Sequence, residues 1–343
     1  MRAAVFHGAG DVRIESVGDP NAPAPDEVVL QVTRAAICGT DAAEWDHGPV
    51  LCRSGVILGH EFVGRVVELG KNVTAFRMGE RLVSGAGISC GRCRWCLSHR
   101  PNLCAEYRTL GLQVDGGLAE YVKSPASICR TVPEVCDDDA AAMAQPLAVA
   151  LHALSRVGQR PDDHVAVIGV GGVGSFIVAG ASRRAVEGRV VAVDIEDERL
   201  TTASALGAQQ TANATGHDLA ELLLELSAGV GFDVVIEASG AIHAPAAAVA
   251  GTRRGGRVLL VGLHDAPRVM DLTPMIVREV DIVTTVAHVC DSDIPAALRL
   301  LAESTIAAIT AGPRITLDAL VEEGLRPLAE HRATGKILVT PTV

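Results

Sequence analysis

The sequence predicts a two-domain α/β chain, with a β-rich domain followed by a doubly wound parallel sheet. Three observations lead there. The chain has 343 residues, room for about two domains at roughly 150 residues each. Residues 1 to 147 carry short alternating runs broken by Gly, Pro, Asn and Asp. Residues 148 to 288 alternate wholly apolar runs with helical stretches, the pattern of a parallel sheet covered on both faces.

In chain order, AAVFHG, DVRIESV, EVVLQVTRAAI, GRVVELG and RLVSGAG each fit a strand of the first domain. In the second, the buried-type strands VAVIGV, RVVAVD, DVVIEA and RVLLVG alternate with helices such as DERLTTASALGA and HDLAELLLELSA. Residues 289 to 343 form a tail with two helical stretches, DIPAALRLLAES and LDALVEEGLRPLAEH, and one last strand, KILVTP.

Composition narrows the function classes. With 48% hydrophobic and 21% charged residues, the chain is a packed globular protein rather than a disordered one. A net charge of −11 disfavours nucleic acid and anionic membranes, which it would repel. The apolar stretch from residue 140 to 154 is broken by Gln145, Pro146 and His152, so it does not read as a membrane span. The first residues lack an apolar signal core, so a cytoplasmic location is expected. Nine cysteines are then metal ligands or free thiols rather than disulfides.

Four of them, Cys90, Cys93, Cys96 and Cys104, follow a C-x2-C-x2-C-x7-C spacing. Short C-x2-C turns present paired thiolates to one tetrahedral zinc. Arg92 and Arg94 lie beside them as donors to the sulfurs. An iron–sulfur cluster is the alternative, but nothing nearby suggests an electron-transfer partner. Four filled positions make this a structural ion that pins a loop.

A second constellation is weaker. Cys38 opens CGTD after one strand, and His60 and Glu61 precede another. A catalytic zinc takes three protein ligands and keeps one open position. Asp41 is placed to orient an imidazole. Equally, a lone histidine is often a satisfied core residue and a lone cysteine a small hydrophobe.

The dinucleotide signal is stronger. Gly169, Gly171 and Gly174 form G-x-G-x-x-G after the strand VAVI, with Gly172 and Val173 between them at the mouth of a helix. The glycines permit a tight turn, close approach of a pyrophosphate, and tight helix packing. Asp194 ends the next strand, twenty residues after Gly174, where a carboxylate accepts from the ribose hydroxyls of NAD. Arg199 stands nearby as a cation that could tolerate the extra phosphate of NADP.

Together CGTD, GHEFVGRVVELG, the four-cysteine loop, GVGGVG and TGKILV resemble the zinc-containing medium-chain alcohol dehydrogenases over the full length. The Cys2His catalytic zinc is a known feature of that family. The resemblance implies a GroES-like β-barrel catalytic domain over residues 1–147, a Rossmann NAD-binding domain over 148–288, and a segment 289–343 returning to the catalytic domain. It implies Cys38, His60 and Glu61 as catalytic-zinc ligands, Asp41 as the orienting carboxylate and Thr40 as the hydroxyl that takes the alcohol proton. It implies Arg199 at the adenosine ribose, two zinc ions per chain, and a homotetramer or homodimer.

CGTDAAEWDHGPV is most like the polyol and vicinal-diol branch. Two positions depart from the family pattern. Gln145 stands where the polyol branch has Glu, and either couples to the zinc site or bonds backbone at the domain junction. Ala43 stands where liver-type enzymes end their relay with histidine, while His47 is near but out of register. Trp45 lines a substrate pocket or sits on an exposed loop. Cys52 is the one remaining cysteine that could stray into a metal site, and Cys129, Cys136 and Cys290 read as structural.

The expectation is an NAD-dependent zinc oxidoreductase acting on a small secondary alcohol or its ketone. The alternatives are a threonine-type amino-alcohol dehydrogenase and a non-catalytic dinucleotide-binding zinc protein.

Overall fold

The computed structural model describes residues 1–264 and 266–342. They fall into two compact units, Met1–Ala148 with His288–Val343, and Val149–Ala287.

The first unit is built on the strand Glu27–Ala36, whose residues Val28, Leu30 and Val32 enter one core while Val29 is buried on the other face. Along one edge it pairs antiparallel with Glu61–Leu69, with Ala36 opposite Glu61. Along the other edge its first half pairs with Tyr121–Pro125 and its end with Lys336–Thr340. The last residues of the chain therefore lie one strand away from Glu61. Arg81–Ser84 and Cys129–Thr131 extend the sheet beyond Glu61–Leu69. A small sheet of Arg2–Gly8, Asp11–Ser16 and Val56–Ile57 completes the β structure around Phe6, Leu30, Phe62, Leu110 and Leu118.

The tail differs from expectation at two places. It holds a further strand, Ala311–Thr316, parallel to Lys336–Thr340 at the sheet edge. Its sequence AGPRIT lacks apolar alternation, and Pro313 is tolerated because an edge strand leaves one row of N–H groups unpaired. The stretch LDALVEEGLRPLAEH forms a π-helical turn, Leu320–Leu325, and then a short α-helix, Arg326–Ala329.

The second unit is a six-stranded sheet, and every neighbouring pair is parallel. Val165–Ile168 is its first strand in the chain. The spatial order is Gln210–Asn213, Val190–Asp194, Val165–Ile168, Phe232–Glu237, Thr252–Leu260 and Asp281–Thr284. The strands run third, second, first, fourth, fifth, sixth, the doubly wound order. Val165 to Val167 and Val190 to Val193 have no exposed surface, as expected for strands covered on both faces. Helices Gly172–Arg184, Asp197–Ala205, Leu219–Leu226 and Ala244–Ala250 connect them. Asp218 caps one of these, accepting from the N–H groups of Ala220 and Glu221.

Candidate active site

Cys38 lies two residues beyond Glu27–Ala36 and forms the N-cap of helix Gly39–His47. His60 immediately precedes Glu61–Leu69, and Glu61 is its first residue. Antiparallel pairing of the two strands therefore brings these residues together. The donor atoms of Cys38, His60 and Glu61 lie within 4.8 Å of one another, with His60 and Glu61 buried.

Asp41 ties the group together. It has no exposed surface, one oxygen accepts from the Cys38 N–H at 2.9 Å, and the other faces His60 Nδ1 at 3.6 Å. With Nδ1 turned to Asp41, Nε2 is the nitrogen left for a metal. Thr40 Oγ1 lies 3.7 Å from Cys38 Sγ.

The pattern reading missed Lys336. It is buried, and its Nζ lies 2.8 Å and 2.6 Å from the two oxygens of Glu61. A lysine at the head of an apolar strand needs a carboxylate once buried, and that was the available signal.

The electrostatics test whether a metal fits. Burial works against charge on His60, yet Asp41, with Cys38 and Glu61, lifts it to about 10. Burial also pushes Asp41 upward, against the pull of His60. For Lys336, burial opposes charge, but Glu61 and then Cys38 raise it above its ordinary value. Without a metal these neighbours draw a proton onto His60, and a bound dication would take the place of that proton among Cys38, Asp41 and Glu61. The sulfur, imidazole and carboxylate donors suit zinc. Glu61 is the third donor gathered with Cys38 and His60. Gln145 lies half-buried in the first turn of helix Ala144–Val157.

The four cysteines of the loop also converge, with their sulfurs within 4.8 Å of one another. The loop is bracketed by the paired strands Gly87–Ile88 and Arg108–Thr109. Backbone N–H groups of Cys90 and Glu106 point at Cys104 Sγ at 3.3 Å and 3.4 Å. The Cys96 N–H draws the Cys93 thiol down to about 6. Four converging thiols, one already acidified and served by backbone donors, fit a tetrahedral zinc. Arg92 reaches chiefly Glu106, at 3.3 Å, and Arg94 stacks on Trp95, so neither serves mainly as a donor to sulfur.

Other residues resolve simply. Trp45 is buried beneath the Arg326 guanidinium, so it is not an exposed loop residue. His47 is exposed beside Asp46. Cys52 is buried against Gly111, and burial pushes its thiol up to about 12. Burial likewise raises Cys129 to about 12, and Cys136 and Cys290 to about 11.

In the second unit the glycine loop leaves the strand Val165–Ile168. Gly169 has φ +81°, and a Cβ there would come within 2.6 Å of Ser239. A Cβ on Gly174 would lie 1.9 Å from the Gly169 carbonyl oxygen, whereas one on Gly172 would meet nothing within 4 Å. The N-cap of helix Gly172–Arg184 is Gly171, which offers no side-chain acceptor to the first N–H groups. Those donors suit a phosphate. Asp194 is buried and accepts from Val170 N–H at 2.7 Å, within the glycine loop, and from Ile195 N–H at 2.8 Å. Arg199 lies 3.7 Å from Asp194.

Family models match in two stretches: the alcohol dehydrogenase GroES-like domain over residues 24–134 and the zinc-binding dehydrogenase over residues 172–303. The sorbitol dehydrogenase of Bacillus subtilis (strain 168) is 32% identical over 287 residues, covering 82% of this chain and 81% of the relative. The L-threonine 3-dehydrogenase of Anaeromyxobacter dehalogenans (strain 2CP-C) is 37% identical over 259 residues, covering 74% and 73%. Among solved structures, 2R,3R-butanediol dehydrogenase from Bacillus subtilis superposes with a TM-score of 0.90 at 27% identity over 99% of both chains. A protein of Sinorhizobium meliloti 1021, assigned as a zinc-binding dehydrogenase and bound to NADP, gives 0.90 at 29% identity over 99% of both chains.

The two glycines make separable predictions. Gly174→Ala should lower stability by about 2 kcal/mol or more, since the loop carbonyl cannot yield freely. Gly172→Ala should leave the melting temperature unchanged and weaken dinucleotide binding. Thermal unfolding and NADH titration of both variants check this, and tight NADH binding by Gly172→Ala would count against a phosphate at that turn.

Proposed function

The chain belongs to the zinc-containing medium-chain alcohol dehydrogenase family, and on that premise we propose that it oxidises a small secondary alcohol, a polyol or vicinal diol, with NAD. The observation that carries this reading is the meeting of the half-buried Cys38 with the buried His60 and Glu61 as one sulfur, imidazole and carboxylate donor set. Zinc there would supply Lewis acidity toward the substrate hydroxyl, and the nicotinamide would accept the hydride.

The chain's own residues do the rest. Cys38, His60 and Glu61 would hold the metal, and Asp41 fixes both the Cys38 backbone and the His60 ring. Thr40 Oγ1 takes the alcohol proton and hands it outward. With Ala43 in place of an imidazole and His47 exposed beside Asp46, the proton leaves Thr40 for water. Lys336 restrains Glu61, and a metal bound there would share the carboxylate with the ammonium. The four-cysteine loop holds a second, structural zinc.

Asp194 favours NAD, because a 2′-phosphate would meet its carboxylate while the nearest cation, Arg199, already faces that carboxylate at 3.7 Å. The NADP-bound relative makes cofactor choice worth measuring. The second reading is an amino-alcohol substrate, favoured by the 37% identity to a threonine dehydrogenase. Nine free cysteines fit a reducing cytoplasm, and no helix among the described residues is long and apolar enough to cross a membrane.

Initial rates with sorbitol, 2,3-butanediol and L-threonine, each with NAD and NADP, test the reading. A polyol or diol should give the highest kcat/KM, with NAD preferred by about tenfold or more. Threonine leading would establish the second reading, and no reduced cofactor from any of the three would contradict both.

We further propose that copies of the chain associate through the edge strand Asp281–Thr284 and the neighbouring helix Thr273–Arg278. Ile276 and Val277 on that helix are 73% and 63% exposed, and Ile282 on the strand is 40% exposed. Light scattering should give a multiple of 35.6 kDa, and Ile282→Lys should shift it toward the single chain.

A further inference from the structure

Glu237 is the last residue of the fourth sheet strand, Phe232–Glu237, and has no exposed surface. It stands in register with Ile168, the last residue of the first strand, directly before the glycine loop. These two strands are where the winding of the sheet reverses, so Glu237 sits at the switch point where open α/β sheets bind their ligands.

Its two oxygens have different surroundings. Oε1 accepts from the Ser239 N–H at 2.8 Å, the Ser239 hydroxyl at 2.6 Å and the Gly240 N–H at 2.8 Å. Oε2 has no hydrogen-bond partner and faces His264 Nε2 at 3.7 Å. The other ring nitrogen of His264 lies 3.1 Å from the Gly240 carbonyl oxygen. Because a carbonyl can only accept, His264 Nδ1 carries the hydrogen there and donates to Gly240, which leaves Nε2 facing the carboxylate. A Cβ on Gly262 would come within 2.7 Å of Oε2, so glycine is what lets this segment approach Glu237.

The turn held by this pair touches the glycine loop. Ser239 sits 2.6 Å from where a Gly169 Cβ would be, and Ala238 lies 3.7 Å from the corresponding point at Gly174. Glu237 fixes the turn from one side and His264 from the other.

We infer that Glu237 and His264 form a clamp that positions the turn 238–240 and the segment 262–264 for dinucleotide binding. They are positioning residues, acting through backbone they hold rather than through contact with reacting atoms. The inference rests on the reading that this unit binds a nicotinamide dinucleotide. A pair that merely held the fold would change the melting temperature and leave affinity alone. A clamp changes affinity.

The test uses the full chain with Glu237→Gln, His264→Asn and the double variant. The readouts are the NADH dissociation constant, kcat at saturating NAD, and thermal unfolding. Each single variant should weaken NADH by about tenfold while kcat at saturation stays within about threefold. The double variant should match the weaker single within about twofold, because the two residues act as one unit. His264 is 19% exposed in its side chain, so His264→Asn carries the test if Glu237→Gln does not fold. Folded variants that bind NADH within twofold of the parent would overturn the clamp, as would additive losses in the double variant. A parent chain that binds neither NADH nor NADPH would overturn the dinucleotide reading itself, and the clamp with it.

Discussion

Compensation of buried negative charge is the constraint on which the first unit depends. Cys38, Asp41 and Glu61 are brought together because the strand Glu27–Ala36 ends where Glu61–Leu69 begins. Left without cations, the buried carboxyls of Asp41 and Glu61 would not stay ionised. Lys336 meets part of the demand, and it arrives only because the chain's last strand pairs with the same central strand. Sheet topology, the returning tail and the convergence of Cys38, His60 and Glu61 are therefore one arrangement rather than three.

The second unit handles charge differently. Its carboxylates lie at the carboxyl ends of parallel strands, and backbone N–H groups satisfy most of their oxygens. Asp194 accepts from Val170 and Ile195, and Glu237 accepts from Ser239 and Gly240. Each carboxylate thereby fixes a turn at the edge where the glycine loop lies. The glycines supply space, and the acids supply shape.

Much of this was legible in the sequence because local pattern carried it. Strand–helix alternation gave the parallel sheet, and the C-x2-C-x2-C-x7-C spacing placed four sulfurs that the fold then gathers. CGTD marked Asp41 by its nearness to Cys38, and the structure puts it against both Cys38 and His60. What stayed hidden was long-range. Lys336 and Glu61 are 275 residues apart, and no local period links them. His264 meets Glu237 only once two strands are in register. For Trp45 the local pattern leaves pocket lining and exposed loop both open, and the contact that covers it comes from Arg326, far along the chain. The strand Ala311–Thr316 has no alternation to announce it and forms because Lys336–Thr340 offers an edge.

Zinc stoichiometry tests the central claim most directly, because both donor sets are assigned from converging side chains. The account predicts two zinc ions per chain by elemental analysis, with Cys38→Ser and Cys96→Ser each losing a different one. Cys38→Ser should abolish turnover with little loss of melting temperature. Cys96→Ser should lower the melting temperature, because a structural zinc contributes folding free energy. One zinc per reconstituted parent chain, or two retained by Cys38→Ser, would contradict the account.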